Sequence, residues 1–192
     1  MTPFGNAQID TAQSKFGGAS GLFDGTGDYL TTPDSADWDF GSSAFTIDFW
    51  VRFNDISNPR SFVSQGVDSN NEWYCEYLSG SNLVRFDYYA GGTAAMSWTA
   101  PFSPSTNTWY HVAIVRSGNT WYCFIDGVSQ TVTLGLGSFS ISMPNLSDVL
   151  TIGGSRSGTV HLMDGWLEEV RISKGVARWT ANFTPPAFAY SP

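Results

Sequence analysis

The feature that most constrains this chain is strict two-residue alternation. In Phe45–Phe53, the side chains of Phe45, Ile47, Phe49, Val51 and Phe53 fall on one side and Thr46, Asp48, Trp50 and Arg52 on the other. A strand with one face in a core has this pattern. The same period runs through residues 110–116 and resumes over 120–126. The Ser117-Gly118-Asn119 link between them reads as a hairpin loop, and Asp126-Gly127 as a type I′ turn into Val128. Further short runs at 21–23, 29–31, 61–65, 72–78, 83–89, 94–98, 131–134, 149–153 and 166–172 are separated by Gly, Asn, Ser and Pro clusters. About twelve short strands with no helical patterns between them predict an all-β fold, an antiparallel two-sheet β-sandwich, rather than βαβ units. A single helical turn is expected at 174–179.

Composition narrows the class. Of 192 residues, 42% are hydrophobic and 16% aromatic, while only 14% are charged. Disordered chains are charge-rich and aromatic-poor, so a folded core is required, and the length suffices for one. The expected organisation is an N-terminal arm over 1–15, one domain over 16–188 and a tail over 189–192. Nine basic residues against 17 acidic ones give a net charge of -8. The positive charges are scattered singly, so no basic stripe is available for nucleic acid or an anionic membrane surface. No apolar run has the roughly 18 residues of a spanning helix, which argues against membrane insertion. Met1-Thr2-Pro3-Phe4-Gly5-Asn6 lacks a basic stretch followed by an apolar one, so the expectation is a chain made without a Sec signal. Cys75 and Cys123 lie inside strand-like runs and are read as buried thiols rather than a disulfide.

Six segments in order carry a family likeness. They are Leu22-Phe23-Asp24-Gly25-Thr26-Gly27-Asp28-Tyr29-Leu30, Phe45–Phe53, Trp109-Tyr110-His111-Val112-Ala113-Ile114-Val115-Arg116, Phe124-Ile125-Asp126-Gly127-Val128, Leu150-Thr151-Ile152-Gly153-Gly154 and Gly165-Trp166-Leu167-Glu168-Glu169-Val170-Arg171-Ile172-Ser173. Together they resemble the LamG-like jelly-roll domains of the concanavalin A-like lectin/glucanase superfamily. The ending from Gly175 to Pro186, with Arg178-Trp179 and Phe183-Thr184-Pro185-Pro186, is similar to the version common in bacteriophage and environmental proteins. The resemblance implies a jelly roll over about residues 16 to 188. This superfold hosts lectins, glycosidases, adhesion modules and virion parts, so function has to come from the residues.

Catalysis finds little support. The glucanases of the superfamily use a Glu-x-Asp-x-x-Glu strand, which sets acid and nucleophile on one sheet face. Here Glu72 and Glu76 share a face, but Tyr74 lies between them, and the adjacent Glu168 and Glu169 point to opposite faces. Neither His111 nor His161 has a nucleophile in a recognisable motif. The chain reads as a non-enzyme.

Binding is the stronger expectation. Asp24, Asp28, Asp34, Asp37 and Asp39 crowd five acids into 16 residues, a cluster that a hard cation such as calcium would relieve. The resemblance makes calcium at a sandwich edge an expectation, with Asp24 and Asp28 joined by Asp164 or Glu168. Asp beside Gly is equally ordinary turn chemistry. Trp73, Tyr88, Tyr89 and Trp98 flank loops and are the expected sugar-stacking residues, while Trp109, Trp121 and Trp166 are expected to pack in the core or on sheet faces. Two readings follow. One is a recognition module for glycans or a host-surface polysaccharide. The other is a virion component, such as a capsid decoration or tail protein, packing against other virion proteins or copies of itself. The expected location is a virion, or a cell or particle surface.

Overall fold

The computed structural model describes residues 1–66, 68–155 and 158–190. Positions 191 and 192, the end of the expected tail, lie outside the described residues. The strands are β1 (Thr2–Phe4), β2 (Gln8–Asp10), β3 (Ser20–Asp24), β4 (Tyr29–Thr32), β5 (Phe45–Phe53), β6 (Arg60–Gln65), β7 (Glu72–Leu78), β8 (Leu83–Ala90), β9 (Thr93–Pro101), β10 (Trp109–Ser117), β11 (Thr120–Ile125), β12 (Val128–Gln130), β13 (Thr133–Gly137), β14 (Leu150–Ile152) and β15 (Asp164–Lys174). They form an eight-stranded sheet, β1-β4-β14-β6-β7-β8-β9-β13, and a seven-stranded sheet, β12-β11-β10-β5-β15-β3-β2. The expected antiparallel sandwich is therefore what the chain adopts.

The alternation sets the core. Phe45, Ile47, Phe49, Val51 and Phe53 of β5 are all fully buried between the sheets. Opposite them, Trp73, Phe86 and Trp98 stack in series across β7, β8 and β9, with ring centroids 5.9 and 5.8 Å apart and planes within 11° and 7°. Each such ring contributes about 1.5–3 kcal/mol by leaving water. Cys75 and Cys123 are free and buried in this core. Burial pushes the Cys75 thiol up to about 12 and raises Cys123 as well. The Asp126-Gly127 turn has positive φ at both residues, 50° and 77°, between the paired Ile125 and Val128.

Three local expectations change. Residues 174–179 form no helical turn: β15 ends at Lys174, and one short 3-10 turn, Ala36–Trp38, is the helical element among the described residues. The strand expected at 131–134 is Thr133–Gly137. Within the N-terminal arm, β1 and β2 take the edges of the two sheets, β1 beside β4 and β2 beside β3.

The segment after β15 crosses the outer face of the seven-stranded sheet. Trp179 and Phe183 stack face to face at 3.9 Å and pack on Ala113, Val115 and Phe124. The Thr46 hydroxyl donates to Val176 O and accepts from Arg178 N, which ties the segment to β5. Beneath it lies Asp48, fully buried, accepting from Arg171 Nε and Nη2 at 3.1 and 2.8 Å and from the Tyr190 hydroxyl.

Candidate binding face on the eight-stranded sheet

The outer face of the eight-stranded sheet carries a different chemistry. Cross-strand register lines up Thr2, Thr31, Thr151, Ser64, Tyr74, Asp87 and Ser97 as one row over β1, β4, β14, β6, β7, β8 and β9. A second row runs Ser61, Glu76, Arg85 and Thr99. Their sequence neighbours Cys75, Phe86, Trp98 and Ile152 belong to the core, so period-2 geometry turns these rows away from it.

The centre of this face is tightly cross-linked. Tyr74 donates to Asp87 Oδ2 at 2.8 Å and stacks on Tyr89, with centroids 6.3 Å apart and planes 19° from parallel. Arg85 lies over the Tyr74 ring at 5.6 Å, hydrogen-bonds Glu76 Oε1 through Nε at 2.9 Å and reaches to 3.4 Å from Asp87. His161 Nδ1 meets the other Glu76 oxygen at 2.5 Å. Burial raises the Asp87 pKa, with the Glu76 charge acting the same way, against the lowering by Ser97, Arg85 and Tyr74. Burial, helped by the Asp87 charge, also drives the Tyr74 hydroxyl far above its ordinary value, so it stays a donor.

This face also holds unmet hydrogen-bonding capacity. Asp87 Oδ1, Ser61 Oγ and Thr151 Oγ1 are buried and have no partner. A polar atom left so costs about 1–3 kcal/mol unless water or a ligand satisfies it. Tyr74, Asp87 and Glu76 are buried beneath this surface, so a polyhydroxylated ring would meet the half-buried Tyr89 and Arg85, stacking its apolar face on the one and bonding its edge to the other.

The residues expected to stack on sugar divide. Trp73 and Trp98 are 0% exposed, and this corrects their assignment: both are core rings, facing the same side as Cys75, Tyr77 and Met96. The Trp73 indole donates to Gln65 Oε1 inside the sandwich. Tyr88 is turned toward the core and packs on it. Tyr89 alone of the four stands on the outer face, against Tyr74. Tyr74, Glu76, Arg85, Asp87 and His161 were not among the expected binding residues. Parity along 72–78 and 83–89 carried that information, because two-residue steps back from Tyr89 on β8 reach Asp87 and then Arg85.

The expected calcium ligands do not fit a cation. Asp28 is 1% exposed, and its two oxygens accept from the backbone of Asn6 and Asp24 at 2.5 and 2.8 Å. Asp24 caps Thr26 N at 2.8 Å. Asp164 pairs across the sheet with Asp24, yet its carboxylate accepts from Asn54 Nδ2 at 2.9 Å and lies 3.6 Å from Arg60. Glu168 sits four residues further along β15 and caps the amides of Lys15 and Phe16 at 2.5 and 2.7 Å. These acids do the work of turns, and among the described residues no three His, Cys, Asp or Glu side chains converge as metal ligands.

Comparison with known proteins places this fold. A family model described as the concanavalin A-like lectin/glucanases superfamily matches residues 24–180. No curated protein sequence matches. Among solved structures, the chain is similar to the CBM40 module of the Ruminococcus gnavus IT-sialidase bound to α2,3-sialyllactose, with TM-score 0.59, 10% identity, and 79% of this chain and 91% of that one covered. It is similar to the enzymatically active domain of tailspike protein 2 of bacteriophage CBA120, with TM-score 0.67 and 14% identity, over 91% of this chain and 29% of that one. It is also similar to domain 4 of AbnA, an extracellular arabinanase of Geobacillus stearothermophilus, in complex with arabinotriose, with TM-score 0.60, 14% identity, and 89% and 76% covered. At these identities the likeness is one of fold.

Proposed function

We propose, for a chain that belongs to the concanavalin A-like lectin/glucanases superfamily, that it is a non-catalytic glycan-recognition module binding through the outer face of its eight-stranded sheet. The observation that carries this reading is the stacked Tyr74–Tyr89 pair beside the unpartnered Asp87 Oδ1. Two of the similar folds, the sialidase module and the arabinanase domain, hold oligosaccharides, which supports the class of ligand. Glu76 is committed to Arg85 and His161. A carboxylate so held serves as a positioning group for the face rather than as half of an acid–nucleophile pair. The reading needs no calcium at Asp24, Asp28, Asp164 or Glu168. The likeness to a phage tailspike supports carriage on a virion, where the module would recognise a host-surface polysaccharide. The test is a glycan array read with the parent chain and with Tyr89→Ala. Hits that weaken tenfold or more in the variant, about 1.4 kcal/mol or more, support the proposal; hits that Tyr89→Ala leaves unchanged overturn it.

A further inference from the structure

A pocket lies on the opposite side of the molecule from the Tyr89 face. It has a volume of about 490 Å³ and is lined by Lys15, Phe16, Trp50, Trp109, Asp126 and Pro186, among others. That is within the roughly 300–1,000 Å³ of small-molecule sites. Residues before β3 supply one wall, β5 and β10 the floor, the Asp126 turn another wall, and the segment after β15 the last. Lys15 Nζ sits 4.1 Å from the Trp50 ring centroid, and Phe16 meets that ring edge-on at 5.6 Å. The Trp50 indole N–H is buried and has no acceptor. Trp109 shares the floor and is half-buried.

We infer that this pocket is a second saccharide site, taking a neutral sugar ring, independent of the face around Tyr89. The lining decides the class. A purely aliphatic guest would strip water from Lys15 and Asp126 without replacing its hydrogen bonds. An anionic guest would meet the Asp126 carboxylate. A neutral sugar ring offers an apolar face to the half-buried Trp109 ring and hydroxyls to Lys15 and to Asp126. Two sites on opposite faces of one sandwich would let a single chain grip one polysaccharide twice, or two strands at once.

The test is nuclear magnetic resonance on the full chain, following the indole N–H signals of its tryptophans during titration with arabinotriose, lactose and 3′-sialyllactose. The proposal expects a neutral oligosaccharide to shift the Trp50 and Trp109 signals saturably while Trp73 and Trp98 stay still. The shifts persist in Tyr89→Ala, which removes the other face, and vanish in Trp109→Ala. Asp126→Asn, which keeps the oxygen that accepts from His111 N, weakens binding several-fold without disturbing the fold. The proposal is overturned if neutral sugars move neither signal up to their solubility limit, if 3′-sialyllactose binds there more tightly than lactose, or if a proline-rich peptide alone produces the shifts. Failure of the first face shows separately, as glycan-array hits indifferent to Tyr89→Ala.

Discussion

The two outer faces of the sandwich solve the same problem in opposite ways. On the seven-stranded sheet, β5, β10 and β11 turn Asp48, Ala113, Val115 and Phe124 outward, apolar side chains around a carboxylate paired with Arg171. The chain covers it with its own C-terminal segment, whose Trp179 and Phe183 finish a small second core. On the eight-stranded sheet the outward residues are hydroxyls, tyrosines and mutually paired charges, which bond sideways to one another. The difference teaches where to look for function. A face covered by its own chain keeps chemistry only at its margin, around Trp50 and Trp109, while on the other face polar atoms stay unmet at the centre.

The comparison can be broken most forcefully at Asp48. Asp48→Asn leaves Arg171 without its counter-charge on the covered face, and a loss of about 3 kcal/mol is expected in denaturant unfolding at neutral pH. Next comes Gly127→Ala. Gly127 has φ 77°, and a Cβ there would stand 1.9 Å from Phe183 O. The variant should lose about 2 kcal/mol and loosen the C-terminal segment, seen as faster hydrogen exchange at Phe183, whose amide bonds Gly127 O.

The pH dependence of the two faces should have opposite sign. Burial acts to raise the Asp48 pKa, but hydrogen bonds from His111, Arg171 and Tyr190 and the Arg171 charge outweigh it and hold it below the ordinary aspartate value. Its stabilisation is present above that ordinary value and is lost as pH falls through the lowered folded one. Asp87 is shifted the other way. Its folded state binds a proton more readily than the unfolded chain, so stability declines as pH rises through its raised pKa. Asp87→Asn should therefore be more stable than the parent at neutral pH, by under about 1 kcal/mol, with the gap closing in acid. Thermal melts of Asp48→Asn and Asp87→Asn across acid and neutral buffers would show gaps of opposite sign from the parent, each narrowing toward acid. Smallest of all is the effect of calcium: neither the ion nor a chelator should move the melting temperature, since the expected ligands already cap backbone amides.

The core was legible because alternation is a local property. Phe45–Phe53 and the Asp126-Gly127 hairpin follow from side-chain period and turn chemistry alone. The binding face was legible only in part. Trp73 and Trp98 attract attention as large rings beside loops, yet each shares its parity with a fully buried neighbour, Cys75 and Met96. Parity points instead to Tyr74, Arg85 and Asp87, while His161 reaches Glu76 through a loop 85 positions away, which no local pattern encodes. The 174–179 segment failed for a related reason. Val176, Ala177 and Trp179 have helical spacing, but Thr46 takes both Val176 O and Arg178 N, and the stack of Trp179 on Phe183 holds the chain against the sheet.

The most direct measurement is chemical-shift mapping of the isotopically labelled chain with the tightest glycan from the array. Recognition centred on the half-buried Tyr89 and Arg85 predicts that the largest perturbations fall on Tyr74, Arg85, Asp87 and Tyr89 and disappear in Tyr89→Ala. Perturbations that leave β7 and β8 untouched, with the Tyr89→Ala spectrum responding as the parent does, would contradict it.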